Sequence, residues 1–463
     1  MELEEERYIF QPRTKTTLMI VAIVGVLFLV LGMILPSGEH HEAGSGGGEE
    51  HHATATVDQK LVASSDVAAE PQQEHGDHEA VAKEGGEEHE VPGMKQRVFA
   101  SLWHNSVFFT GLGIIGLFFI AIQYAAQAGW SAPLKRIPLA MGSWIPIAGV
   151  IMIILWFVVK HDVFHWTHSY LYDKNGGHYD KILDGKSALW FLPLAAGSFP
   201  VFYVFRMVLF FGLWYMFFVW IRREMLAEDL NGGVGHWLNA RKLSAIFLVI
   251  FAVSSSIAAW DWVMSIDPHW FSTMMGWYVF ASWWVTGLAV IGLIVASLKD
   301  AGYLKVVNGN HLHDLGKFIF GFSIFWMYIW FSQFMLIYYA NLPEETVYFI
   351  ERKYVSPYSW VFITNLIMNF VLPFLLLMTR DAKRHTNTLK VICPIVILGH
   401  WFDFYNMVTP GVMKTHGAFG LVEIGILCIF AAAFLFVTLT SLAKYPLVAK
   451  NDPMMGEALN HHI

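Results

Sequence analysis

Nine ionisable side chains fall inside long apolar segments of the sequence or directly beside them. A charged group inside a bilayer is costly, so each is a functional candidate by default. Imidazole and carboxylate groups accept and release protons readily. The set therefore predicts a site that takes protons from a lipid-soluble donor, such as a quinol, and releases them outside. The candidates are His161, Asp162, Arg206, Asp261, Asp267, His269, His400, Asp403 and Glu423.

Each candidate also has a structural interpretation, which the sequence leaves open. The segment from His161 to His168 is either a group of proton carriers or a solvated interfacial loop. Arg206 either takes part in chemistry or pairs with Asp261 or Glu423 to neutralise charge. Asp267, which precedes a proline, either titrates or forms a turn and N-cap at the start of the sixth span. His400 and Asp403, three residues apart, form either a proton relay or a structural hydrogen bond.

The elements that must position these residues are transmembrane helices. Of the 463 residues, 56% are hydrophobic and 14% are charged, against about 25% charged in soluble domains. This composition excludes a soluble enzyme, a disulfide scaffold and a nucleic-acid binder. Apolar runs of about 20 residues, each long enough to cross a bilayer, predict ten spans: 16–35, 103–124, 140–160, 199–221, 242–264, 273–298, 315–339, 357–379, 388–406 and 417–442.

We therefore predict an all-α membrane protein in which spans 2–5 and 6–9 form two four-helix bundles, with one flanking helix at each end. The predicted divisions are a cytoplasmic N-terminus with the first anchor helix (1–35), a loop (36–96), the first bundle (97–264), the second bundle (265–406), and the last helix with its tail (407–463). We also predict that Asp261, His400, Asp403 and Glu423 project into one bundle interior.

Lysine and arginine predict the orientation, because they favour cytoplasmic loops. They are much more frequent in the short connections on the side of the N-terminus than in those on the other side. Both termini are therefore predicted in the cytoplasm. With this orientation all nine candidates lie towards the outer side, and the inner half offers only neutral polar groups such as Gln123 and Ser244, with Asn365 and Asn369 near mid-depth.

The predicted first outer loop differs in composition from the rest of the chain. It is rich in Gly, Glu, Ala and His, and poor in aromatic residues, so it cannot bury enough surface to fold alone. We predict a solvated, disordered tether and not a metal-binding loop, because its histidines are irregularly spaced and no cysteine accompanies them. These histidines are His40, His41, His51, His52, His75, His78 and His89.

Several cofactor signatures are missing from the sequence. The two cysteines, Cys393 and Cys428, have no CxxCH or CxxC spacing, so covalent haem and cysteine-bound iron–sulfur clusters are not predicted. Only His400 is predicted well inside a span, which argues against a bis-histidine haem, and no P-loop is present. If the protein takes part in redox chemistry, electrons must leave through another polypeptide, so the chain would be a subunit.

The run from Asp261 to Ser272, DWVMSIDPHWFS, followed by Met275 and Tyr278 to Ala281, resembles the F subunits of bacterial alternative complex III. The architecture over residues 97–445 is similar to the NrfD/polysulfide-reductase family of membrane proteins. The resemblance implies a multi-pass subunit of the bacterial inner membrane, with both termini cytoplasmic and the long first loop periplasmic. It carries no catalytic residue over to this chain.

The resemblance further implies a quinol:electron-acceptor oxidoreductase, a respiratory complex that replaces cytochrome bc1. Its expected partners, besides membrane lipids, are a periplasmic iron–sulfur protein, multihaem c-type cytochromes and a related ten-span subunit. Haem c and iron–sulfur clusters would lie in those partners, whereas this chain would bind no cofactor except quinone or quinol. A structural scaffold and an independent secondary transporter are the alternative functions.

Overall fold

Long apolar helices account for most of the chain that this computed structural model describes, residues 5–35 and 92–462. Ten of these helices are long and apolar enough to cross a membrane, which confirms the predicted all-α membrane fold. They are α1 Pro12–Ile34, α2 Met94–Ala126, α3 Ile145–Val163, α4 Val201–Asn231, α5 Gly235–Trp262, α6 Met275–Asp300, α7 Gly309–Ala340, α8 Tyr358–Leu376, α9 Thr386–Met413 and α10 Leu421–Leu442.

The bundle has two ends, which we name by the chain segments found there. At the terminal end the segments before α1 and after α10 meet, since Arg7 forms an antiparallel bridge with Pro446. At the loop end α1 ends and α2 begins. The loop end also holds four short helical segments between α3 and α4 and the amphipathic helix Pro343–Tyr354 between α7 and α8.

The second helix begins earlier than predicted. It starts at Met94 and not near 103, because Lys95 and Arg97 interrupt the apolar pattern although they belong to the helix. Arg97 is buried and is neutralised by Glu423. The end of the predicted loop 36–96 is therefore helical, while the predicted tether itself, residues 36–91, lies outside the described residues.

Helices α2–α5 and α6–α9 each form a closed ring in which consecutive helices pack together and the fourth returns to the first. Because α2 and α6 also contact each other and α2 packs on α9, the two bundles share a continuous interface. The most buried helices, α2 and α6, lie at this interface. The predicted arrangement of two four-helix bundles is thus present.

The flanking helices α1 and α10 pack mainly against each other, and α10 contacts α2. Glycines allow this close approach. A Cβ added at Gly25 would lie 2.7 Å from the carbonyl oxygen of Gly425, and one at Gly425 would lie 2.6 Å from that of Gly25. Small residues at such contacts let helix backbones approach closely in membranes.

Candidate proton-handling site

Asp403 lies in the second bundle, fully buried, and accepts four hydrogen bonds from neutral donors. Its Oδ2 accepts from Ser282 Oγ at 2.6 Å and from Trp326 Nε1 at 2.9 Å. Its Oδ1 accepts from Asn365 Nδ2 at 2.7 Å and from the Tyr278 hydroxyl. These four donors match the acceptor capacity of a carboxylate.

His400 lies one helical turn from Asp403 and is also fully buried. Its Nδ1 is 3.7 Å from Asp403 Oδ2, too far for a hydrogen bond, so the predicted structural hydrogen bond between them is absent. Among the described residues neither ring nitrogen of His400 has a hydrogen-bond partner. The Trp326 ring contacts the imidazole edge to face at 5.3 Å. The imidazole therefore lies beside the carboxylate, packed against Trp326 but without a hydrogen bond to the described residues.

An irregular segment of α8 positions the amide donors of this site. Residues Ile367–Val371 form a π-helical turn, a feature that often marks functional sites. Within it the Asn369 side chain donates to Asn365 Oδ1, and Asn365 in turn donates to Asp403. Gly399 of α9 makes room for this arrangement, since a Cβ there would lie 2.2 Å from Asn369 Oδ1.

Tyr278 connects Asp403 to a small cavity towards the loop end. Besides Tyr278, the cavity is lined by Gln333, Tyr348, Arg352 and other side chains, and its volume is about 10 Å³. This is the space of about one water molecule. Burial raises the pKa of Tyr348 to about 12, although Arg352 opposes the shift, so this phenol stays protonated at neutral pH.

An ion cluster closes the loop end above this cavity. Asp267 binds Arg352 Nη2 at 3.1 Å and Lys414 Nζ at 2.7 Å. Arg352 also donates to the Asn406 carbonyl at 2.8 Å. Burial alone would raise the pKa of Asp267, but Lys414 and Arg352 together hold this pKa below its usual value. The predicted N-cap role of Asp267 is wrong, because the N-cap of α6 is Met274 and Asp267 is used for ion pairing.

Two further acids predicted inside the spans, Asp261 and Glu423, have arginine partners. Arg206 binds Asp261 through two hydrogen bonds of 2.7 Å, which confirms one of the two predicted pairings. Arg97 binds Glu423 through bonds of 2.8 and 2.7 Å. Paired in this way, both carboxylates are neutralised within the bundle.

The prediction that three acidic side chains and one histidine project into one bundle interior is therefore only partly correct. Asp261, His400, Asp403 and Glu423 are all buried. Their hydrogen bonds, however, form three separate groups, one between α4 and α5, one between α2 and α10, and one around α9. Similar depth along the helices does not place residues on facing sides.

The remaining candidates lie at the surface of the loop end. His161 is exposed, and its main-chain carbonyl bonds His168 Nε2 at 3.0 Å. Asp162 pairs with Lys95 at 2.9 Å. His269 contacts Asp180 at 2.5 Å. These contacts stabilise surface segments and lie outside the Asp403 group.

Sequence reasoning missed His104 as a second imidazole inside a span. His104 is fully buried, and its Nε2 lies 3.0 Å from the main-chain oxygen of Trp401. It was overlooked because α2 starts earlier than predicted. The argument that His400 alone lies well inside a span is therefore wrong, and the absence of haem from this chain stays a prediction.

Buried charged groups also occur at the terminal end, outside the limits predicted for the spans. At the terminal end Lys135 binds Asp452 at 2.6 Å, and both side chains are almost fully buried. Arg136 pairs with Asp229, and Glu228 in the last turn of α4 is 2% exposed. These residues lie at helix ends and in the C-terminal tail, where a search of apolar runs does not reach.

The donors around Asp403 left a weak signal in the sequence. Asn365 and Asn369 are four residues apart and therefore on one face of a helix, near mid-depth, where an unpaired amide would be costly. Nothing in the sequence indicates which carboxylate these two amides bind.

No protein-family model matches this chain, and no curated protein matches it significantly.

Proposed function

We propose that this chain is an integral membrane subunit of a quinol:electron-acceptor oxidoreductase of the alternative complex III type, in which Asp403 exchanges protons near the periplasmic side. The observation that carries the proposal is the environment of Asp403. This carboxylate is fully buried and has no cationic hydrogen-bond partner among the described residues. It lies beside the His400 imidazole, whose two nitrogens have no hydrogen-bond partner among the same residues. Asp261 and Glu423, by contrast, each have an arginine.

The partners of Asp403 can serve both of its protonation states. Hydroxyl groups donate to an ionised carboxylate, and by rotating they accept from a protonated one. Ser282 and Tyr278 provide one hydroxyl for each carboxylate oxygen. The carboxyl group can therefore gain or lose a proton while keeping its partners, as a proton carrier requires.

The proposed reaction assigns electrons and protons to different chains. Oxidation of one quinol to quinone releases two electrons and two protons. The electrons would pass to iron–sulfur and haem c groups of partner subunits, and the two protons would pass one after the other by way of Asp403 and Tyr278 towards the loop end. The positive-inside rule supports assigning the loop end to the periplasm.

The size of the cavity beside Tyr278 supports proton transfer over solute transport. About 10 Å³ accommodates a water molecule but no transported solute, so the site beside Asp403 suits proton transfer and not solute binding. Transporter sites usually lie at mid-membrane between repeats. A scaffold without chemistry would use the same helices for packing alone. The scaffold is distinguished from the proton carrier by changing Asp403 while leaving the packing intact.

The decisive experiment compares three variants of the native complex, purified from membranes in mild detergent. Asp403→Asn keeps the size of the side chain but cannot carry a proton, so we expect normal assembly and a quinol:acceptor rate reduced on the order of 100-fold. Asp403→Glu restores a carboxyl group and should recover part of the rate. Thr438→Val is the control, because Thr438 is buried and its hydroxyl has no partner among the described residues.

Two outcomes would contradict the proposal. A full rate in Asp403→Asn would make Asp403 structural and favour the scaffold. A chain that purifies without c-type haem, iron–sulfur partners or quinol-dependent electron transfer would not be a respiratory subunit, and the transporter would become the leading function.

A further inference from the structure

A second, larger cavity opens beside α7 near the terminal end, whereas the Tyr278 cavity lies further along the same helix towards the loop end. Its volume is about 590 Å³, within the range of small-molecule binding sites, about 300–1,000 Å³. We call it the α7 pocket. It is lined by Trp130, Phe318, Phe322 and Phe325, by Gly321, and at its polar end by Asp314, Lys317 and His461.

The apolar walls of the α7 pocket are flat aromatic rings. Trp130 and Phe318 stack with ring centres 5.7 Å apart and an angle of 20° between their planes. Phe318 and Phe322 stack at 6.0 Å with an angle of 5°. Such flat rings are suited to offset stacking with a planar conjugated ligand.

The polar end of the α7 pocket contains hydrogen-bond donors without an excess of positive charge. Asp314 bonds both Lys317 Nζ at 2.5 Å and His461 Nε2 at 2.6 Å. The C-terminal segment is held in place here, since Asn310 Nδ2 donates to the His461 carbonyl at 2.9 Å. The Lys317 ammonium has three donors, so it can bind a ligand oxygen while it remains paired with Asp314.

We propose that the α7 pocket binds the ring of a lipid-soluble quinone, with Lys317 donating a hydrogen bond to a ring carbonyl. A phospholipid phosphate fits less well, because the Asp314 carboxylate neutralises Lys317 and would repel the phosphate. The isoprenoid chain of a quinone would leave along the aromatic wall of α7 into the membrane. This binding site does not depend on the reaction proposed for Asp403.

Glycine positions allow a test that fills the α7 pocket without disturbing the protein. A Cβ at Gly321 meets no atom within 4 Å, and the same holds for Gly212 on α4, which is exposed and not among the lining residues. Gly321→Phe should occupy the pocket, whereas Gly212→Phe makes the same change on another helix. Both substitutions improve helix propensity, so neither should impair folding.

The probe is a photoreactive azidoquinone added to the native membrane complex, with the labelled peptides mapped by mass spectrometry. We expect label on the peptides that contain Trp130 and Phe318, reduced at least tenfold in Gly321→Phe and unchanged in Gly212→Phe. Lys317→Met should reduce the same label by removing the donor. The readout is labelling and not turnover, so its failure is distinguishable from a failure of the Asp403 mechanism.

Three results would overturn the proposal. The first is an absence of label from these peptides. The second is equal labelling in both glycine variants. The third is loss of label on adding vesicles of anionic phospholipid but not on adding an excess of unlabelled quinone, which would identify the occupant as a phospholipid.

Discussion

Pairing distinguishes the buried acidic residues of this protein from one another. Asp261 and Glu423 each accept two hydrogen bonds from an arginine. Removing one partner of such a buried pair usually lowers the free energy of unfolding by about 3–5 kcal/mol. Their first contribution is to the stability of the bundle. Among the described residues, Asp403 accepts hydrogen bonds from four neutral donors and has no arginine partner. This difference is the reason that the proposed function rests on Asp403.

The lowered pKa of Asp267 predicts how the stability of the folded protein depends on pH. Its pKa is lower in the folded protein than in the unfolded chain, since Lys414 and Arg352 outweigh the effect of burial. The stabilisation is therefore present above the unfolded value, about 3.9, and is lost as pH falls through the folded pKa. We expect Asp267→Asn to lower the melting temperature of the detergent-solubilised complex at pH 7, with a difference from the unmodified protein that shrinks below about pH 4.

Asp173→Asn is the control for this measurement, because Asp173 is exposed and bonds only within its own turn. It should leave the melting temperature unchanged at either pH. A difference between Asp267→Asn and the unmodified protein that persists unchanged at acidic pH would show that the ion pairs are not its source.

At the scale of elements, the π-helical turn in α8 and Gly399 of α9 together position the Asn369 and Asn365 side chains. The turn brings Asn369 onto Asn365, and the missing side chain at Gly399 leaves the space that Asn369 occupies. Two helices thus contribute to positioning a donor for Asp403, which itself belongs to α9. Neither helix achieves this geometry alone.

Gly399→Ala should have two opposite effects, because it favours the helix but displaces the Asn369 amide. Alanine in a helix is favoured over glycine by about 1 kcal/mol, but here its Cβ would lie 2.2 Å from Asn369 Oδ1 and displace the amide. We expect a quinol:acceptor rate reduced several-fold in the assembled complex. Gly212→Ala, where a Cβ meets no neighbour within 4 Å, should keep the full rate, and equal rates in both variants would contradict the role assigned to Gly399.

At the scale of the whole molecule, α1 packs mainly against α10. The reciprocal approach of Gly25 and Gly425 fixes the two helices at short distance. The segment that joins α1 to α2 is rich in Gly, Glu and His.

Replacing residues 38–90 by a Gly/Ser linker of about ten residues should leave the complex assembled. Such a linker has an average span of roughly 16–19 Å, comparable to two helix spacings of about 8–10 Å each. The measurement is co-purification of all subunits with unchanged c-haem content. Gly25→Leu should, in contrast, weaken the attachment of α1. Loss of the partners in the linker variant would identify the segment as a partner-binding element.

The sequence by itself determined the number of helices, their approximate limits and the fold class. The physical reason is the bilayer, since a hydrocarbon layer of about 30 Å requires about 20 apolar residues per span, and this requirement is visible along a single chain. It also identified Asp403 and His400 as buried candidates. It misplaced the start of α2 because a buried arginine, Arg97, resembles a loop residue until its partner Glu423 is known.

Only the tertiary structure decided which candidates act together. Position along a helix sets depth, but rotation about the helix axis and the choice of neighbours depend on packing across all ten helices. Tyr278, Trp326 and Asn365 come from three different helices and converge on Asp403, while Asp261 at the end of another helix is bound by an arginine. The difference between an acid paired with arginine and an acid bound by neutral donors therefore arises from contacts between helices that are far apart in sequence.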